Sequence, residues 1–239
     1  MKELKTFVLL GDGKIAERHK QAIDFVGGKI THVYDPFKYN QTVDELREHL
    51  SVAEYAVILS PSYLHAMQTK LARSHNCKVI VEKPHHLPWQ PYENDDLIFV
   101  CLPFRYVKLP DAKPDDCVKV SFLRDADYWK GWQGDFFKSG GVLSNLFIHY
   151  IDIAIRMGVP FNGQVSENEG INSRMYSNID LSLIDMNNLY RRMYDSITDG
   201  FDLFTILPKD LYYLDWIINK YTNANYYIKL SLWDWVNIS

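Results

Sequence analysis

The sequence predicts an α/β fold: an N-terminal doubly wound parallel sheet over residues 1–103, followed by a second, reduced α+β domain over residues 104–239. Three observations carry that prediction. Short apolar runs alternate with stretches of helical periodicity through the first half of the chain. Glycine, acidic residues and proline fall at the ends of those runs rather than inside them. In the second half, Val142 to Met157 is too long and too apolar for a strand and reads as a largely buried helix.

The elements follow in order. Phe7 to Leu10 is a strand that breaks at Gly11-Asp12-Gly13, and Ile15, His19, Ala22, Ile23 and Val26 then recur at helical spacing until Gly27-Gly28. Lys29 to Tyr34 is a second strand ending at Asp35-Pro36, and Thr42 with Glu45 forms a capping box that opens a helix through Leu46 and Leu50. Tyr55 to Leu59 is a third strand, Ser62 is the expected cap of a helix bearing His65 and Leu71, and Lys78 to Val81 is a fourth strand ending at Glu82-Lys83-Pro84. Leu97 to Leu102 adds a further strand. Beyond a proline-punctuated crossing, Cys117 to Leu123 begins the second domain, followed by a polar and aromatic loop, Asp125 to Ser139. Gly163 to Glu169 is a short strand, Met186 to Ile197 and Leu211 to Tyr221 are helix-spaced, and Tyr226 to Val236 alternates as a strand. Trp233 and Trp235 in that last strand would dock on the body of the protein or form a dimer edge.

Alternation at this rhythm predicts a parallel sheet covered on both faces, with ligands at the carboxyl ends of its strands. Gly11-x-Gly13-x-x-Ala16 follows a strand and opens a helix, the context in which glycines let the backbone approach a pyrophosphate seated on a helix N-terminus. About 20 residues on, Asp35 ends the second strand, where a carboxylate hydrogen-bonds a ribose 2′-OH and repels a 2′-phosphate. A Rossmann-type domain that holds NAD in preference to NADP is the reading on which these features agree. A lone glycine turn would be only a tight turn.

Two further groups have a functional and a structural reading. Asn145, His149 and Asp152 are spaced four and three apart, which predicts one helical face, either an internal hydrogen-bond network or a wet cleft. Lys83 is either an exposed charge after a strand or, restrained by Pro84, a cation held at a strand end where it would orient and polarise a substrate hydroxyl or carbonyl.

Bulk properties narrow the classes. A chain of 239 residues with 47% hydrophobic content can bury a real core. The 26 basic and 30 acidic residues are dispersed, with no basic block to follow a phosphate backbone, so nucleic acid is not an expected partner. Cys77, Cys101 and Cys117 show no paired spacing, which argues against disulfides and a zinc site and fits a reducing, cytoplasmic compartment. No apolar stretch approaches membrane-spanning length.

Taken together, Gly11-Asp12-Gly13, Ser60-Pro61 ahead of His65, Glu82-Lys83-Pro84, and Ser139-Gly140-Gly141 ahead of Asn145-x-x-x-His149 resemble the Gfo/Idh/MocA oxidoreductase family, in order and in spacing, over about residues 5–160. Trp132 to Asp135 followed by Lys138 looks most like its dehydrogenases that oxidise the 3-hydroxyl of UDP-N-acetylglucosaminuronate during surface-polysaccharide synthesis. The resemblance implies that Gly11, Gly13, Lys14, Ile15, Asp35, Ser60, Pro61, His65, Glu82 and Lys83 hold NAD. It implies that Lys83 and His149 are catalytic, His149 as general acid/base, and that Asn145, Asp152, Lys138 and Trp132 bind the sugar. It further implies a small-molecule nucleotide-sugar substrate and a homo-oligomer. After residue 160 the match degrades and the antiparallel wall of the family's second domain looks cut down, which leaves a rival expectation: a non-catalytic scaffold that retains the dinucleotide fold.

Overall fold

A computed structural model of the chain describes residues 4–113, 115–167, 174–179, 184–199, 206, 208–211, 214–215, 220 and 227–230. They belong to two compact units. Unit 1 takes residues 1–86, 90–106 and 185–210, and unit 2 takes 87–89, 107–184 and 211–239. This differs from a single boundary after residue 103, because residues 185–210 return to unit 1.

In unit 1, β1 (Thr6–Leu10), α1 (Ala16–Phe25), β2 (Lys29–Tyr34), the short α2 (Pro36–Tyr39), α3 (Val43–Leu50), β3 (Tyr55–Ile58), α4 (His65–Ser74), β4 (Lys78–Glu82) and β5 (Ile98–Cys101) follow one another. The five strands form one sheet in the order β2-β1-β3-β4-β5, and every pairing is parallel. Residues of β3, β4 and β5 are buried almost without exception, as expected where both faces of a parallel sheet are covered. Val79, Ile80 and Val81 are fully buried, and each such side chain contributes about 1.5–3 kcal/mol. The Thr42–Glu45 capping box forms as predicted. Ser62 does not cap α4: it is buried in a 3₁₀ turn, Ser62–Leu64, that precedes the helix. A 3₁₀ turn, Pro103–Tyr106, follows β5.

Unit 2 contains β6 (Val118–Arg124), α5 (Ala126–Lys130), α6 (Phe136–Ser139), α7 (Ile148–Met157), β7 (Phe161–Glu167) and β8 (Arg174–Ser177). The chain then supplies α8 (Met186–Thr198) to unit 1 before β9 (Tyr227–Leu230) completes the second sheet. That sheet is mixed, in the order β8-β6-β7-β9, with β6 and β7 parallel and both outer pairings antiparallel. Phe122 on β6, Phe147 and Phe161 on β7 join in ring contacts at 5.6 Å, and Tyr150 of α7 meets Phe122 at 5.9 Å.

Sequence and structure differ at two places in this unit. The segment expected as loop between Asp125 and Ser139 contains α5 and α6, each started by an aspartate N-cap: Asp125 accepts from the Tyr128 N–H at 2.9 Å and Asp135 from the Phe137 N–H at 3.0 Å. The long helix begins as a π turn, Leu143–Phe147, before α7. Its wider i→i+5 turn precedes α7, which holds both His149 and Asp152 in regular α-helix. Gly141, Asn145 and His149 are half-buried at every fourth position, whereas Asp152, three residues beyond His149, is 2% exposed. Most of the helix expected over Leu211 to Tyr221, together with Trp233 and Trp235, lies outside the described residues.

Candidate functional site

In unit 1 the residues with chemical potential gather at the carboxyl ends of the strands. β1 stops at Gly11, whose N–H donates to the Tyr34 carbonyl at 2.8 Å at the end of β2. Gly11 has φ +110°, and a Cβ there would lie 2.8 Å from the Leu59 carbonyl carbon and the Ser60 nitrogen at the end of β3. No side chain fits that wedge. A Cβ on Gly13, in contrast, would meet nothing within 4 Å. Beyond it Lys14 is exposed, Ile15 is half-buried, and α1 starts without a side-chain cap; the Ala16 and Arg18 N–H groups donate to the Gly13 and Ile15 carbonyls at 3.0 and 3.1 Å.

Asp35 stands at the end of β2 as predicted. Its Oδ2 accepts from the Asp12 N–H at 3.1 Å and its Oδ1 from the Lys38 N–H at 3.2 Å, while its own N–H donates to Gln41. Each carboxylate oxygen has a second lone pair for a further donor. Sequence reasoning missed the neighbouring cluster: Asp12 receives Lys20 at 2.6 Å together with Lys38 and Tyr39. Those bonds, with Lys20 foremost, hold its carboxyl well below the usual carboxylate range.

The ends of β3 and β4 are tied by His65. Its Nε2 lies 2.7 Å from the Ser60 carbonyl oxygen and its Nδ1 2.6 Å from that of Pro84. Both partners are acceptors, so a ring with one proton serves only one of them. Burial pulls the imidazole pKa down, against the upward pull of the two carbonyls and of Glu82. His65 is 1% exposed with each nitrogen facing a backbone carbonyl, which makes it a support for the loops after β3 and β4. Ser60 donates its hydroxyl to Gln68 at 2.6 Å, and Pro61 leads into the 3₁₀ turn.

Glu82 ends β4 in a buried network. Its Oε1 accepts from Tyr190 of α8 at 2.8 Å and lies 3.1 Å from His19 Nε2, and its Oε2 accepts from the Lys83 N–H at 3.2 Å. His19 Nδ1 lies 2.7 Å from the Tyr194 hydroxyl. A ring protonated at Nε2 therefore donates to Glu82 and accepts from Tyr194. Burial alone would raise the Glu82 pKa, but the bond to His19, then the Lys83 charge and Tyr190, bring it down to about 2. His19, Glu82 and Cys101 also place metal-ligand atom types within 4.8 Å of one another, a proximity the hydrogen bonds already explain. The half-buried Lys83 follows, joined to Pro84 by a cis peptide bond. His85 and His86, which the sequence did not single out, stand beyond it with ring nitrogens 2.9 Å apart; burial brings His86 down to about 4. The one sequence signal for the network was a histidine on the apolar face of α1.

In unit 2, Asn145 donates its amide to the Tyr128 hydroxyl at 2.7 Å, and His149 lies one turn further along the same half-buried stripe. Trp132 is half-buried between α5 and α6, and Lys138 is an exposed cation 3.3 Å from Asp135. Arg124, buried at the end of β6, was not foreseen.

The class of fold is thus a Rossmann-type parallel sheet, with glycine wedge and acidic strand end, joined in sequence to a unit built on a mixed sheet. No protein-family model matches the chain. Among solved structures it is similar to the WlbA (WbpB) dehydrogenase from Thermus thermophilus, crystallised with NAD and UDP-GlcNAcA, at 17% identity and TM-score 0.67 over 92% of this chain and 95% of that one. It is also similar to GenD2 from gentamicin A biosynthesis, crystallised with NAD, at 13% identity and TM-score 0.61 over 97% of each chain. A myo-inositol dehydrogenase from Corynebacterium glutamicum matches at 13% identity and TM-score 0.58 over 96% of this chain and 99% of that one. At these identities the likeness establishes a shared fold. Among the described residues no helix is long and apolar enough to cross a membrane.

Proposed function

We propose that the chain is an NAD-dependent dehydrogenase of the Gfo/Idh/MocA type that oxidises a sugar hydroxyl, the 3-hydroxyl of a UDP-N-acetyl hexuronate in polysaccharide synthesis. The observation that carries this reading is the set of strand ends in unit 1: a wedge that accepts only glycine at Gly11, open space over Gly13 before an uncapped helix, and Asp35 at the end of β2. These residues fit a dinucleotide. Gly11, Gly13, Lys14, Ile15 and the α1 N-terminus would hold the pyrophosphate, and the spare lone pairs of Asp35 the ribose hydroxyl. Ser60, Pro61 and Lys83 would line the nicotinamide end, with His65 and Glu82 supporting them from within. NAD, when bound, supplies the hydride acceptor.

The chain's own residues handle binding and the proton. His149, as general base, takes the hydroxyl proton of the sugar as that carbon is oxidised, Lys83 helps bind and orient nicotinamide and substrate, and Asn145 holds the sugar. Lys138 and Trp132 contribute to sugar binding, whereas the buried Asp152 supports α7. Coverage of 95% of the Thermus thermophilus WlbA chain supports catalysis over a scaffold with a truncated second domain. A cytoplasmic homo-oligomer is the corresponding expectation for the assembled enzyme.

The test is absorbance at the reduced-nicotinamide band after adding NAD and a panel of UDP-sugar uronates to the full chain. A substrate-dependent rise is expected, and His149→Asn should lower the rate by about 10²-fold or more with NAD affinity unchanged. Full activity in His149→Asn removes His149 from the mechanism. NAD binding with no rise across the panel favours the scaffold.

A further inference from the structure

Asp12 lies between the two glycines of the turn, and its side chain is 7% exposed. Lys20 reaches its carboxylate from α1 at 2.6 Å, and Lys38 and Tyr39 reach it from α2. The Lys38 ammonium also stands 5.2 Å from the centroid of the Tyr39 ring, a second contact that holds it in place. The bonds from Lys20, Lys38 and Tyr39 keep Asp12 ionised, so two ammonium groups share one carboxylate.

The neighbouring acid, Asp35, has a different set of donors. It accepts the Asp12 N–H at 3.1 Å and the Lys38 N–H at 3.2 Å, and among the described residues no cation pairs with it. Lys38 is the residue that touches both acids, with its backbone N–H on Asp35 and its ammonium on Asp12. A lysine ammonium is a point charge on a flexible four-carbon stem, and this side chain is exposed, so its position depends on which carboxylate holds it. Asp12 draws the charge away from the end of β2. Asp35 is left with its own charge uncompensated by any described side chain, and that charge is what disfavours a phosphate on the ribose.

We propose that Asp12 sets the cofactor choice: by holding Lys20 and Lys38 it keeps Asp35 uncompensated, so that unit 1 admits the ribose 2′-OH of NAD and rejects the 2′-phosphate of NADP. This rests on the reading that unit 1 holds a dinucleotide with its adenosine ribose on Asp35. Asp35 faces the ribose, Asp12 is a positioning residue that acts through the two lysines, and Lys38 is a latent phosphate ligand. Neutralising Asp12 leaves two ammonium groups beside one remaining carboxylate, a net positive charge where a 2′-phosphate would arrive.

Calorimetric titration of the full chain with NAD and, separately, with NADP tests the proposal. The wild type should prefer NAD. Asp12→Asn, which keeps the backbone N–H on Asp35, should lower that preference by about fivefold or more, the scale of one short-range charge interaction in water, through tighter NADP binding. The gain should fade at roughly 0.5 M salt, as an exposed charge effect does. Adding Lys38→Gln to Asp12→Asn should return the preference to within about twofold of wild type. Lys38→Gln alone, at an exposed position, should raise the preference for NAD; if Asp12→Asn does not fold, an unchanged preference in Lys38→Gln overturns the proposal. Equal loss of both cofactors in Asp12→Asn makes Asp12 a support of the turn alone and overturns it as well. A lowered preference that persists in the double variant overturns the part assigned to Lys38. Equal binding of NAD and NADP by the wild type overturns the proposal and leaves the dinucleotide reading standing, whereas binding of neither overturns that reading itself.

Discussion

Replacing Glu82 by glutamine removes the negative charge on which His19, Tyr190 and the Lys83 N–H converge. Glu82 is 8% exposed, so solvent screens little of the effect. Its carboxyl is brought from an ordinary 4.5 down to about 2, and at about 1.4 kcal/mol per pH unit this corresponds to roughly 3 kcal/mol of stability. The sign follows from the lowered folded-state pKa: the contribution is complete well above pH 4.5 and disappears as pH falls through about 2. Urea unfolding of wild type and Glu82→Gln across pH 7 to 3 isolates it, because other carboxylates titrate in both proteins. The stability difference should shrink by roughly 1.5–2 kcal/mol between pH 7 and pH 3. A difference that stays constant across that range refutes an ionised, network-held Glu82 and leaves only a packing role.

The two glycines of the turn should separate structure from ligand room. Gly11→Ala should cost roughly 2–4 kcal/mol in thermal or urea unfolding, from a Cβ 2.8 Å from backbone atoms at a positive φ, whereas Gly13→Ala should change stability by less than about 0.5 kcal/mol yet weaken NAD binding. Equal stability losses would show that the space over Gly13 is not what distinguishes it. Among the thiols, burial pushes Cys77 up to about 11 and raises Cys101 well above the usual thiol range, so brief alkylation of native protein at pH 8 should label Cys117 alone by peptide mass mapping. Rapid labelling of Cys101 would contradict its burial at the end of β5.

The sequence made the first sheet legible because every signal there is local. A parallel strand buried on both faces is a bare apolar run, and its end is marked by the glycine, Asp35 or Glu82 that follows it. What it did not disclose depends on distance along the chain. Nothing near Glu82 announces Tyr190 and Tyr194, which look like ordinary core aromatics at helical spacing until α8 sets them against α1. The spacing of Asn145, His149 and Asp152 does not disclose that Asp152 is buried while the other two are half-buried, because burial depends on what packs over each position. Arg124 reads as a surface charge at the end of an alternating strand, and its burial arises from Phe122 and Tyr128 closing over it.

The return of α8 to unit 1 also dictates an order of events during synthesis. When residue 106 leaves the ribosome, His19 and Glu82 are already present, but the hydroxyls that satisfy them are not. Residues 107–184 must be translated first, several seconds of waiting at roughly 5–20 residues per second. During that interval the carboxylate and the imidazole have each other, the Lys83 N–H and water as partners, without the two tyrosines. A chain released before residue 194 would leave the buried His19 and Glu82 of unit 1 without the tyrosine hydroxyls that α8 brings to them.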